Sequence, residues 1–209
     1  MQIIENFLPE NVHKEYFEHY HSLNPVWRFV QKANSNADET GNAYFMNETY
    51  HDTWKEKDGS PFKPAWEVVK LLEYLPNGYS KIIRAKTNLF IRQDKPVKYG
   101  MHLDYPKLDN YKILLYYINT NNGGTEFANG DFAKSVANRA VIVDGNIEHQ
   151  TVGQTDTDVR IIININYMEW LWTYSIYIKT QRYLQRCIVT NTLLKCCLLY
   201  TSDAADDET

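Results

Sequence analysis

Arg160-Ile161-Ile162-Ile163-Asn164-Ile165-Asn166-Tyr167 reads as a β-strand, with β-branched residues throughout and strict apolar/amide alternation in its second half. In an extended chain successive side chains point to opposite faces. Arg160, Ile162, Asn164 and Asn166 therefore share one face, and Ile161, Ile163, Ile165 and Tyr167 the other. The second face is apolar, as a core requires. The first carries a guanidinium and two amides. A solvated outer face explains that polarity simply, but a pocket lining explains it more sharply, because a binding cavity needs a few placed polar groups among apolar walls.

Upstream lie His102-x-Asp104 and His149. With six His and thirteen Asp in 209 residues, chance gives about 0.4 His-x-Asp pairs, so the pair alone is a weak motif. Its context strengthens it. A spacing of two puts both side chains on the same face of an extended strand. His149 follows the apolar run Ala140-Val141-Ile142-Val143 and the turn Asp144-Gly145-Asn146, which places it near the start of another strand. Two histidines and one carboxylate can hold a non-haem Fe(II) on one face and leave the opposite positions open for substrate and O₂. Arg160, downstream of the second histidine, has the planar fork suited to an organic acid.

From about Lys86 to Tyr167 the chain resembles the core of the Fe(II)- and 2-oxoglutarate-dependent oxygenases, in particular the prolyl-4-hydroxylase-like branch of bacteria and phages. The residues that carry the resemblance are Lys86–Phe90, Met101–Pro106, Leu115–Phe127, Asn138–Gly145 and His149–Asn166, in matching order and spacing. The resemblance implies that His102, Asp104 and His149 ligate iron and that Arg160 pairs with the distal carboxylate of 2-oxoglutarate. Tyr117 falls where similar enzymes place a phenol that helps hold the same carboxylate. Tyr116 points to the other face of its strand, so the two tyrosines cannot both line the pocket. The implied reaction converts 2-oxoglutarate to succinate and CO₂ while hydroxylating a primary substrate, with ascorbate as an accessory reductant. Two positions depart from the pattern. Arg160 is followed by Ile161-Ile162 and not by the Arg-x-Ser of many relatives, so a hydroxyl partner for the cosubstrate must come from elsewhere. Phe90 stands where close relatives often carry tyrosine. Glu126 and Asp144 are further carboxylates, but both lie in turn-rich sequence beside Gly123-Gly124 and Gly145, which favours a solvated loop role.

Composition agrees with one catalytic domain. A chain of 209 residues with 44% hydrophobic and 14% aromatic residues can bury a substantial core. A net charge of −4 offers no general polyanion-binding surface and disfavours nucleic acid as a partner. Lys81, Arg84, Lys86, Arg92, Lys95 and Lys98 cluster before the iron motif, and are expected as the exposed residues of half-buried strands. Met1-Gln2-Ile3-Ile4-Glu5-Asn6 has neither a basic start nor a long apolar run, and no window reaches the roughly 18 apolar residues of a membrane span. A cytoplasmic location without membrane partners is expected.

Along the chain, Ile3–Pro9 reads as a short strand ending at proline and Glu10–Leu23 as a helix. Asn34–Ser60, rich in Asn, Asp, Thr and Gly, reads as a long loop with at most one short strand, whose Tyr44, Phe45, Tyr50, His51 and Trp54 can cover the site. For His51 a plain surface position is the simpler expectation. Pro64–Leu75 has helical spacing in Trp66, Val69, Leu72 and Leu75 and stops before Pro76-Asn77-Gly78. From Lys81 onward short strands and turns follow. The expected fold is mainly β (α+β): N-terminal helices on a double-stranded β-helix, the cupin-like jelly roll, with an oxygenase domain over 1–168 and its core over about 81–168. Residues 169–209 read as a doubtful tail. The run 197–207, Cys197-Leu198-Leu199-Tyr200-Thr201-Ser202-Asp203-Ala204-Ala205-Asp206-Asp207, resembles a translated sequencing adapter. Cys187, Cys196 and Cys197 all lie in this part, so they support no disulfide or zinc assignment.

Three functions fit: a 2-oxoglutarate-dependent hydroxylase of a peptidyl residue such as proline or of a small amino-acid-like substrate; the same chemistry on a nucleobase or other metabolite; and a noncatalytic jelly-roll binding module. The complete set His102, Asp104, His149 and Arg160 argues against the last. A structural zinc site would normally close its coordination with four protein ligands.

Overall fold

The strand read first in the sequence, β10 (Val159–Met168), runs through the middle of the larger of two antiparallel sheets in the computed structural model, which describes residues 1–31 and 43–170. On one side β10 pairs with β4 (Lys81–Ile91) and on the other with β5 (Lys112–Tyr117). Outward from β5 lie β8 (Arg139–Asp144) and β1 (Gln2–Ile4); outward from β4 lie β3 (Tyr44–His51) and β2 (Arg28–Val30). The sheet order is β1-β8-β5-β10-β4-β3-β2. A smaller sheet, β7 (Phe132–Lys134), β6 (Gly124–Phe127) and β9 (His149–Val152), is ordered β7-β6-β9.

The alternation along β10 sorts its residues into two cores. Ile161, Ile163, Ile165 and Tyr167 pack with Leu114 and Tyr116 of β5, with Ala140 and Ile142 of β8, and with two helices, α1 (Glu10–Tyr20) and α2 (Trp66–Leu72). Ile162 joins Ile113, Leu115, Tyr117, Val141 and Val143 in a second core that also contains Phe127 and Ala133 of the smaller sheet. The expected jelly-roll layout holds: helices cover one face of the larger sheet and the smaller sheet covers the other. Each fully buried Ile or Leu in these layers contributes roughly 1.5–3 kcal/mol relative to exposure. In α1 the buried stripe is Val12, Tyr16 and Tyr20, at intervals of four residues.

Several local expectations are corrected. The one strand expected within Asn34–Ser60 is Tyr44–His51, eight residues long, and Arg28–Val30 pairs with it as a strand the sequence did not suggest. Polar residues in β3 obscured its alternation because it lies toward the sheet edge and is only partly buried. In α2 the buried residues are Glu67, Val68, Leu71 and Leu72, followed by Leu75, whereas Trp66 is 45% exposed. The helix is thus turned from the stripe expected, through Trp66 and Val69. Met1–Glu169 form one compact unit, which ends before Trp170–Thr209. All of that tail but Trp170, including the three cysteines and the adapter-like run, lies outside the described residues. Among the described residues no helix is long and apolar enough to cross a membrane.

Candidate metal centre

His149 opens β9 in the smaller sheet, and His102 is joined to it by an isolated antiparallel bridge. Asp104 follows in a bend and not, as the spacing suggested, in a continuing strand. The bend brings the carboxylate back between the two imidazoles. His102 Nε2 lies 3.7 Å from Asp104 Oδ1, and His149 Nε2 lies 4.0 Å from Asp104 Oδ2. One ligand atom from each of the three residues falls within 4.8 Å of the others. Two donors each about 2.1 Å from a common ion stand at most about 4.2 Å apart, so the two measured pairs fit a metal and the widest needs only a slight contraction.

Both histidines are oriented in the same way. The Nδ1 of His102 is 3.1 Å from the carbonyl of Gly100, and that of His149 is 3.3 Å from the carbonyl of Ile147. A carbonyl accepts from Nδ1–H, which leaves Nε2 as the lone-pair nitrogen directed at Asp104. Burial pushes the His149 pKa below its ordinary value, keeping the ring in the neutral form a metal needs.

Asp104 has almost no exposed side-chain surface. Its Oδ1 meets the Arg84 guanidinium at 3.1 Å and the Lys86 ammonium at 3.5 Å, and its Oδ2 accepts from the amides of Asn164 at 3.0 Å and Asn166 at 2.9 Å. Burial pushes the carboxyl pKa up, but Lys86, His149 and Arg84, with the Asn166 hydrogen bond, outweigh it and hold the group well below the usual carboxylate range. The polar face of β10 is thus a pocket lining: two of its four residues aim the candidate metal carboxylate. Arg84 and Lys86 are not the exposed strand residues expected, because they sit opposite Asn166 and Asn164 in the β4–β10 register and face the site.

Arg160 is completely buried. Its guanidinium lies 5.3 Å from the Phe90 ring centre and 5.5 Å from that of Tyr117, while Nη2 donates to the Thr125 hydroxyl at 3.4 Å. Its Nε and Nη1 are buried without a partner among the described residues. Such an arginine carries a strong electrostatic demand for an anion. Tyr117 donates to the same Thr125 hydroxyl at 2.9 Å, and burial raises its pKa, so it stays a neutral phenol. Tyr116 faces the helices, as expected, and donates to Asn138 Oδ1 at 3.1 Å. Thr125 places a hydroxyl beside Arg160, where the missing Arg-x-Ser pattern leaves none. It was not singled out in the sequence because its proximity to Arg160 arises only when the smaller sheet closes over the larger.

A cavity of about 330 Å³, its open mouth included, is lined among others by Lys86, His102, Thr125, His149, Ile162 and Asn164. Glu126 does not join the metal set. It lies in β6, not in a loop, and pairs with Lys98 at 2.8 Å and with the Gln150 amide at 2.7 Å. Asp144 ends β8 and meets Lys112 at 3.4 Å. His51 is partly buried, with Nε2 3.4 Å from the Tyr105 hydroxyl, and Tyr44 is buried against Phe90 rather than spread over the site.

No protein-family model and no curated protein matches the sequence. The fold is similar to solved structures. A 2OG-Fe(II) oxygenase family oxidoreductase from Burkholderia pseudomallei superposes with a TM-score of 0.55 at 10% identity, over 79% of this chain and 84% of that one. A prolyl-4-hydroxylase from Pseudomonas putida gives 0.52 at 14% identity, over 81% and 92%. A prolyl hydroxylase from Trichoplax adhaerens, solved with a hypoxia inducible factor peptide fragment, gives 0.54 at 17% identity, over 80% and 83%. The chain has the fold of these oxygenases and carries a His-Asp-His set within it.

Proposed function

We propose that this protein is an Fe(II)- and 2-oxoglutarate-dependent dioxygenase that hydroxylates a peptidyl residue such as proline or a small amino-acid-like substrate. The observation that carries the reading is the pairing, inside one sandwich, of the His102–Asp104–His149 cluster with a buried Arg160 that has two unpartnered nitrogen donors. Three ligands and an oriented pair of imidazoles suit a metal that keeps positions open. An orphaned guanidinium beside two hydroxyl-bearing side chains suits the distal carboxylate of a dicarboxylic cosubstrate.

In this reading His102, Asp104 and His149 hold Fe(II), and Arg160, Thr125 and Tyr117 hold 2-oxoglutarate. With both bound, the centre supplies oxidative decarboxylation: R–H, 2-oxoglutarate and O₂ give R–OH, succinate and CO₂. The protein's own work is positional. Asn164 and Asn166 fix the plane of the Asp104 carboxylate, the Gly100 and Ile147 carbonyls set the histidine tautomers, and Phe90 and Ile162 exclude water around Arg160. The prolyl hydroxylases of similar fold support a prolyl or related amino-acid substrate. Ascorbate fits as a reductant that keeps iron ferrous.

The test is succinate formation by the full chain, reconstituted anaerobically with Fe(II) and 2-oxoglutarate and then exposed to air, with and without proline peptides. Succinate that requires both additions and disappears in His102→Ala supports the reading. A folded, metal-loaded protein that fails to bind 2-oxoglutarate would overturn it.

A further inference from the structure

Arg84 and Lys86 share the inward face of β4 with Asn88 and Phe90, and both direct their charge at Asp104. Lys86 is only 9% exposed and lines the cavity together with Asn88, His102 and His149. Arg84 lies over the Tyr105 ring, 5.1 Å from its centre, and its Nε is buried without a partner among the described residues. Two cations therefore converge on one carboxylate, and Glu48, opposite Lys86 in the β3–β4 register, attracts Lys86 from further away.

This arrangement is balanced only while Asp104 serves the cations. A divalent ion at His102, Asp104 and His149 would draw on the same carboxylate and add two positive charges within a few ångströms of Arg84 and Lys86. Arg160 cannot share in relieving them, because its own anion site lies at the other end of the polar ladder. Arg160 and Asn166, the register partner of Arg84, are six residues apart on β10, roughly 20 Å at the strand rise. With the cosubstrate's second carboxylate counted against the ion, the centre stays net positive, at Lys86 on the cavity wall and at Arg84 beside it.

We propose that the primary substrate carries a carboxylate that docks on Arg84 and Lys86, so that these two residues select small amino-acid-like acids or acidic side chains over neutral peptide segments. The inference rests on the dioxygenase reading and narrows its substrate class. Arg84 offers its fork, held in plane by Tyr105, and Lys86 a point charge already desolvated by the fold. An internal prolyl residue, which has no carboxylate of its own, lacks the group that this wall recognises.

The experiment uses the full chain with Fe(II) and 2-oxoglutarate under anaerobic conditions, where the visible charge-transfer band of that complex reports changes at the metal. Failure to form the band counts against the dioxygenase reading itself and is recorded before any probe is added. The probes are the free proteinogenic amino acids, their carboxamides, and N-acetylated amides of Asp and Glu. The expected result is that at least one free acid perturbs the band and its carboxamide binds about tenfold or more weakly, the loss of a charged hydrogen bond. Perturbation by the blocked Asp or Glu compounds instead would assign the same site to an acidic side chain. In Lys86→Met and in Arg84→Gln the discrimination between acid and amide should collapse, and in Lys86→Arg it should survive. A band that no acid perturbs, or acids and amides that perturb it equally, would overturn the proposal.

Discussion

His102 and His149 are bonded to each other through their backbones in both directions, each N–H lying 3.0 Å from the other's carbonyl oxygen. Their rings are 4.8 Å apart. One two-residue bridge thus couples the segment that carries Asp104 to the smaller sheet, and it makes cross-strand neighbours of two ligands far apart in sequence. Main-chain pairing thus fixes the two histidines relative to each other.

Because that pairing is made by backbone atoms, truncating a ligand side chain should cost metal affinity without unfolding the chain. His102→Ala and His149→Ala should each weaken Mn(II) binding, measured by titration calorimetry, by more than the 10–100-fold typical of changes around a metal site. Far-UV circular dichroism should stay unchanged. Retention of wild-type affinity in either variant would remove that residue from the ligand set.

Asn166 is completely buried and gives its amide to Asp104 at 2.9 Å, with its own Oδ1 unpartnered among the described residues. Asn166→Leu keeps the volume and deletes the hydrogen bond. Mn(II) affinity should fall roughly 10–100-fold. The thermal midpoint of the metal-free protein should change little, because an unsatisfied buried oxygen is removed along with the bond. A fall in stability with unchanged metal affinity would make Asn166 a structural residue only.

Arg160 has the opposite balance. Its two orphaned nitrogens make it a poor contributor to the ligand-free fold, and replacement of a buried, incompletely paired charge by an apolar side chain is often neutral or stabilising. Arg160→Met should leave the melting temperature of the ligand-free protein unchanged or raised. It should lose the thermal shift that 2-oxoglutarate gives the wild type, since only a ligand that binds the folded state stabilises it. A preserved 2-oxoglutarate shift would dismiss the assigned role.

The features legible in the sequence were those with local periodicity. Alternation along β10 separated Ile161, Ile163 and Ile165 from Asn164 and Asn166, and the structure divides them between the helix-side core and the pocket in that way. Tyr116 and Tyr117 were separated by the same rule. Thr125 and the inward aim of Arg84 and Lys86 were not legible. Thr125 meets Arg160 only across two sheets, and β4 has a register shift opposite Asn166–Tyr167, so simple alternation does not carry its facing from end to end. Asp104 misled in another way: spacing placed it in a strand, while the chain bends there and its carboxylate is held by four donors from two other strands.

Away from the site, His13 on α1 gives the fold a dependence on pH. Its Nδ1 lies 2.6 Å from the Tyr116 hydroxyl, beneath the helix layer, and burial pushes its pKa below the ordinary 6.5. The sign follows from proton counting. Below about pH 6.5 the unfolded chain takes up a proton at His13 that the folded chain resists, so the unfolded state gains and stability falls as pH drops toward the lowered folded value. Above that window the residue is neutral in both states and contributes no slope. Urea midpoints at pH 7.5 and 5.5 should therefore differ more in the wild type than in His13→Gln, which keeps a polar group near Tyr116 but cannot titrate. The comparison between the two proteins is needed because His149, also held below its ordinary value by burial, adds a slope of the same sign in both. An identical pH response in wild type and variant would show that His13 protonates equally in the folded and unfolded chains.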